Sequence, residues 1–188
     1  MEHDKREQIL AGVWQVIATD GLAAVSVRSV ATAAGVSPGR VQHYFATKTE
    51  LVRASARAMI ELAQRTHPET GGSPDQRATL EELLLHPLEP ASSSRAGTSI
   101  YYAYIAASLA DPEIGHILAE AHQGLVSAVR DCLATQHPDL PDPVATARRL
   151  VLLSNGATQA VLLGSLDADL ARELVRAALP THPGNQEA

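Results

Sequence analysis

Apolar residues recur at three- and four-residue spacing along almost the whole 188-residue chain and nowhere settle into sustained alternation. Such spacing gathers apolar side chains on one face of a helix, whereas a half-buried strand needs strict alternation. The expectation is therefore an all-α fold of about nine helices and no sheet. Composition agrees: hydrophobic residues make up 45% of the chain and aromatic residues only 3%. The cores must then be built from Ala, Leu, Val and Ile, which suits closely packed helices.

Capping residues divide this pattern into elements. Asp4-Lys5-Arg6-Glu7 reads as a capping box ahead of an apolar face formed by Ile9, Leu10, Val13, Trp14, Val16 and Ile17, which Asp20-Gly21 closes. Ser26 caps a short helix from Val27 to Ala34, stopped at Gly35. Ser37-Pro38 opens the next, with proline at the first helical position, where its missing donor costs nothing. Thr47 to Glu50 is a second capping box, opening a long helix toward Arg65. Residues 67–74, HPETGGSP, form a Pro/Gly-rich break. Beyond it a helix is expected over 75–85, an irregular stretch over 86–98 and a helix over 99–109. Asp111-Pro112 and Asp142-Pro143 then open two long helices, and a last one runs over 167–179 to Pro180. The expected organisation is a three-helix domain over 1–50, a connecting helix over 51–66, a helical body over 67–180 and a disordered tail over 181–188.

The segment from Ser26 to Leu51, SVRSVATAAGVSPGRVQHYFATKTEL, carries the most chemistry. Two short helices meet at a glycine turn, which is helix-turn-helix geometry. Val30, Ala31, Ala34, Val36, Val41 and Phe45 are spaced to pack the pair together. The other face of the second helix then presents Arg40, Gln42, His43 and Tyr44. Arg40 can donate two bonds to a guanine edge and Gln42 can pair with adenine. Ser37, Gly39 and the helix start offer amide donors to phosphate, and Lys48 is placed to reach the backbone. Residues 1–60 carry seven Lys and Arg against five Asp and Glu, while the remainder carries eight against sixteen. Because salt screens charges beyond about 8–10 Å, a locally basic head can meet DNA although the chain as a whole is acidic.

This segment resembles the signature of the TetR family of transcriptional regulators. The matching residues are Ser26, Val30-Ala31, Ala34-Gly35-Val36-Ser37, Gly39, Tyr44-Phe45, Lys48 and Leu51, and with the helix around Trp14 the likeness covers residues 5–55. It implies that Ser26, Arg28, Ser37, Arg40, Tyr44 and Lys48 touch DNA. Gln42 departs from the pattern, which usually has Tyr there. The stretch TSIYYAYIAASLADPEIGHILAEAH and the later VLLSNGATQAVLLG resemble the ligand-binding half of a subgroup that includes choline-response regulators. That likeness implies a four-helix dimer interface built from the last two helices of each protomer.

The residues of the body point the same way. The helix over 144–163 is apolar nearly all round and needs burial on more than one side. Gly156, Ala160 and Gly164 form a small-residue line that permits close helix approach. For a ligand pocket the candidates are Tyr101, Tyr104 and Ser108 on one helix face, His122 at the edge of an apolar face, and Asn155 with Gln159. Glu113, His116 and Glu120 share a stripe, but it lies opposite the apolar face, so it reads as solvated surface and no metal is expected. No cofactor is expected either.

Several classes are disfavoured. No Gly-x-Ser-x-Gly elbow, phosphate loop or HExxH motif occurs, so nothing supports an enzyme. The chain has no 18-residue apolar run and no leader, and its single Cys132 fits a reducing cytoplasm. The expectation is a cytoplasmic, homodimeric DNA-binding regulator. It would be a repressor released from a palindromic double-stranded operator by a small-molecule effector, with no membrane partner. The rival is a helical small-molecule-binding protein or enzyme whose helix-turn-helix is only structural.

Overall fold

The computed structural model describes residues 2–66, 80–89 and 92–180. These residues form nine α-helices and no strand: α1 (Glu2–Asp20), α2 (Val27–Ala33), α3 (Pro38–Tyr44), α4 (Lys48–Thr66), α5 (Leu80–Leu85), α6 (Ser92–Ser108), α7 (Pro112–Gln136), α8 (Pro143–Leu162) and α9 (Ala168–Ala177). Two 3-10 turns, Leu22–Ala24 and His86–Leu88, join them. The chain folds as two compact units, Met1–Ala63 with Ala96–Glu120, and Gln64–Arg95 with Ala121–Ala188. The expected break at 67–74 and the expected tail lie outside the described residues.

The first unit packs α1 to α4 with α6 and the start of α7 around Ile9, Val13, Val30, Val41, Phe45 and Leu51, all nearly or fully buried. Gly12 decides how closely α1 meets the end of α2. A Cβ built there would lie 2.8 Å from the Ala34 Cβ and 3.0 Å from its backbone nitrogen, closer than packed atoms tolerate. Gln8 Nε2 donates to the Ala34 carbonyl at 2.7 Å, satisfying an acceptor that the helix end leaves open. On α6, Tyr104 is fully buried, and its hydroxyl lies 2.7 Å from Ser55 Oγ on α4, while Trp14 Nε1 donates to the Ser55 carbonyl at 3.1 Å. Burial pushes the Tyr104 hydroxyl up to about 12.

The second unit is an aliphatic cluster of Leu84, Val129, Leu133, Ala147, Val151, Ala171 and Val175. Ser154 Oγ donates to the Leu84 carbonyl at 2.6 Å, fixing α8 against α5. Arg172 donates to the Leu88 carbonyl at 2.8 Å and pairs with Asp169, and Arg176 meets Glu81 at 3.1 Å.

Four boundaries differ from the sequence expectation. Helix α1 is already formed at Glu2, so Asp4 lies inside its first turn and does not cap it. Helix α6 begins at Ser92, so the stretch expected to be irregular as far as residue 98 is largely helical. Serine has weak interior propensity but is at home in a first turn. Gly164 sits beyond α8 with φ 70°, and the amide of Ser165 bonds back to the Ala160 carbonyl at 3.0 Å. It ends the helix in a left-handed cap and is not part of a small-residue stripe. At Thr47, the hydroxyl accepts from the Glu50 amide at 3.0 Å as expected, but the Glu50 carboxylate accepts from Ala46.

Candidate nucleic-acid interface and ligand groove

The reading head is built from local caps. Ser26 Oγ accepts from the Ser29 amide at 3.0 Å, and Ser29 Oγ accepts from the Ser26 amide at 2.9 Å, a reciprocal box that starts α2. Gly35, at φ 62°, takes the left-handed conformation of the turn. Ser37 Oγ then accepts from the Arg40 amide at 3.2 Å, with Pro38 following as the first helical residue of α3.

Val41 and Phe45 anchor α3, being 0% and 2% exposed. Opposite them Gly39, Arg40, Gln42 and His43 are exposed, and Tyr44 is half-buried with its ring 5.3 Å from the His43 ring in an edge-to-face pair. Arg28 on α2 and the caps Ser26 and Ser37 are exposed as well. Lys48 is exposed, and its Nζ reaches the Ala23 carbonyl at 3.2 Å, which holds the start of α4 beside the turn before α2. Arg6 lies over the Phe45 ring, 5.5 Å from its centroid. All nine residues singled out for DNA thus belong to α2, α3, their caps and the start of α4. Gly12, Gln8 and Arg6, which position α2 and α3, were not singled out. An isolated glycine inside the amphipathic α1 was the available signal for the first.

Helix α4 is also tied to the start of α7. Arg53 clamps Asp111, the residue capping α7, and Arg57 Nη2 meets Glu113 Oε1 at 2.9 Å. Hydrogen bonds from Arg53, with help from the Glu113 and Ile114 amides, hold the Asp111 carboxyl below its usual range.

The candidate ligand residues fall in different units. Tyr101, Tyr104 and Ser108 lie on α6 in the first. Tyr101 is half-buried, its ring 6.0 Å from Tyr102 and perpendicular to it, and burial raises its hydroxyl pKa. Ser108 Oγ donates to the Ile105 carbonyl at 2.7 Å. His122, Asn155 and Gln159 lie in the second, with Asn155 half-buried and Gln159 exposed.

Of these, His122 lines a groove of about 360 Å³ between α7 and α8. Its other polar walls are Gln123, Ser127, Arg130 and Arg148, and its apolar walls are Val126, Val144 and Leu152. The arginines escaped the sequence reading because they lie on two helices, and only packing brings those faces together. His116 and Glu120 pair at 3.2 Å on exposed surface.

Residues 9–55 match the family described as bacterial regulatory proteins, tetR family, and residues 74–183 match the BetI-type transcriptional repressor C-terminal family. The HTH-type transcriptional regulator BetI of Escherichia coli (strain SMS-3-5) is 26% identical over 191 residues, covering 97% of this chain and 95% of that protein. A BetI of Stenotrophomonas maltophilia is 28% identical over 131 residues, spanning 68% of this chain and 66% of that protein. Among solved structures, a putative TetR-family regulator from Rhodococcus sp. superposes with TM-score 0.77 at 22% identity, over 93% of this chain and 96% of that one. A putative transcriptional regulator from Saccharomonospora viridis, crystallised with choline, gives TM-score 0.79 at 22% identity over 93% and 95%. No helix of the described residues is long and apolar enough to cross a membrane.

Proposed function

Because this chain belongs to the TetR family of bacterial regulatory proteins, with a BetI-type C-terminal half, we propose that it works as a homodimeric repressor released from a palindromic operator by a small-molecule effector. The observation that carries the DNA side is α3 itself. Val41 and Phe45 lock its apolar face into the core, while Arg40, Gln42 and His43 are exposed on the opposite face. A helix so held presents a fixed register of donors and acceptors to a major groove.

Arg40 and Gln42 read base edges. Ser37, Tyr44 and Lys48 fix the head on the phosphates, and Arg28 approaches the backbone from α2. Two copies set the spacing of two such helices. The dimer face is the exposed apolar surface at the end of α8 and along α9, where Leu163, Leu170 and Leu174 are 74%, 47% and 47% exposed. Leucines so open to water on two adjacent helices need a partner, and a second copy supplies the same face. Effector and operator then weaken each other reciprocally, by typically about 1–3 kcal/mol. Helix α7 carries the link: its first turn is clamped to α4 by Asp111 and Glu113, and its later residues line the groove.

Titration of a selected operator against variants tests the assignment. Arg40→Ala relaxes preference at one position per half-site, at a cost of about 1–3 kcal/mol on the preferred base, and Lys48→Ala weakens all sequences and flattens the salt dependence. Equal losses from both on every sequence would remove Arg40 from base reading.

A further inference from the structure

The α7–α8 groove has a charge character opposite to that of the chain that carries it. Residues 61–188 hold eight arginines and lysines against sixteen acids, yet no acid and no Phe, Tyr or Trp lines this groove, whose one ring is the His122 imidazole. Its walls bring Arg130 from α7 and Arg148 from α8 to one volume, beside the apolar side chains of Val126, Val144 and Leu152.

The neighbouring arginines show what is unusual here. Arg172 and Arg176 are engaged with acids, and Arg149 donates to Thr146 Oγ1 at 2.9 Å. Arg148 has no hydrogen bond or ion pair among the described residues. Arg130 is held in place by Asp131 Oδ1 at 2.7 Å and Ser127 Oγ at 2.9 Å, both through Nη2, with Nε also on Asp131. That arrangement orients the guanidinium and leaves its Nη1 donors uncommitted.

Quaternary ammonium ligands are recognised by aromatic faces and opposed by cations. A carboxylate is matched by the planar donor fork of arginine. From this pairing of two arginines with an apolar wall, we infer that the groove is an effector site for a small organic acid. The carboxylate sits between Arg130 and Arg148, and a short aliphatic body lies against Val126, Val144 and Leu152. The volume of about 360 Å³ falls within the usual size range of small-molecule sites. The inference rests on the reading of the chain as an effector-responsive regulator, and it deepens that reading by naming the effector's chemical class.

The test is isothermal titration of sodium hexanoate into the full-length protein, with choline chloride as the cationic counter-probe at matched ionic strength. Saturable binding of one hexanoate per chain is expected. Arg148→Gln and Arg130→Gln should each weaken it about tenfold or more, Arg148→Lys should recover part of the loss, and choline should not displace hexanoate. Absent binding, unchanged affinity in both glutamine variants, or displacement by choline would each overturn the site. Operator binding by the ligand-free protein, measured in parallel, separates the two readings. Intact operator binding without hexanoate binding removes the groove assignment alone, whereas hexanoate binding with no sequence-specific DNA affinity removes the regulator and leaves the site.

Discussion

Arg53 grips both carboxylate oxygens of Asp111, with Nε 3.1 Å from Oδ1 and 2.9 Å from Oδ2 and with Nη2 2.9 Å from Oδ1. The same carboxylate accepts from the Glu113 amide at 3.0 Å, so one residue both caps α7 and receives the fork from α4. Two roles on one side chain can be separated by charge. Asparagine caps a helix as aspartate does but does not attract a guanidinium.

Asp111→Asn should therefore lower the unfolding temperature at neutral pH while leaving the α7 cap in place. The folded carboxyl is held below its unfolded value, so its contribution is present above the ordinary carboxylate range and fades as pH falls through the depressed value. Melting curves of both proteins from pH 7 downward should converge below about pH 4. A constant gap across that range would show that the lost charge pair is not the cause.

Gly12→Ala should destabilise the protein although alanine is the better helix former. The propensity gain is about 1 kcal/mol, and overpacking against Ala34 costs about 1–3 kcal/mol. The contact at 2.8 Å involves Cβ and backbone on the other side, which cannot swing away as a long side chain could. Chemical denaturation measures the balance. Because α2 must shift, operator affinity should fall as well, and a more stable variant with full affinity would contradict the packing account.

How much of this was legible beforehand depended on the range of the interaction. Ser26, Ser37 and Asp142 cap their helices as their sequence positions imply, because a cap needs only a side chain and an amide two or three residues on. The inward turn of Val41 and Phe45 followed from helical spacing alone. The start of α6 did not, since weak local propensity at Ser92 gives way to the packing of Ile100 and Tyr104 further along. The arginine groove was not legible at all. Arg130 and Arg148 are 18 residues apart on different helices, and their periodicity says only that each lies off its own apolar face.

Tyr104→Phe removes a hydroxyl that Ser55 receives at 2.7 Å in a buried setting, and should cost about 1 kcal/mol of stability. The folded hydroxyl is pushed up to about 12, whereas an unfolded tyrosine ionises near its ordinary value of about 10. Its contribution is thus complete below the unfolded value and is lost as pH rises toward the folded one. Urea titrations between neutral pH and about pH 11 should show wild type losing more stability than the variant over the alkaline part of that range.

Leu174→Glu places a charge on the exposed α9 face without disturbing the buried Ala171 and Val175 beneath it. Sedimentation should show a shift from dimer to monomer with helix content retained, and operator affinity should fall because one head replaces two. A variant that stays dimeric would place the interface elsewhere.

The central claim is most directly tested by selecting bound sequences from a random duplex DNA pool, with purified full-length protein at near-physiological salt. The account predicts enrichment of an inverted repeat whose half-sites lie about 34–36 Å or a multiple apart, and loss of that enrichment in Arg40→Ala. Retention without any preferred sequence, vanishing as salt rises, would contradict it and leave α2 and α3 as a structural pair.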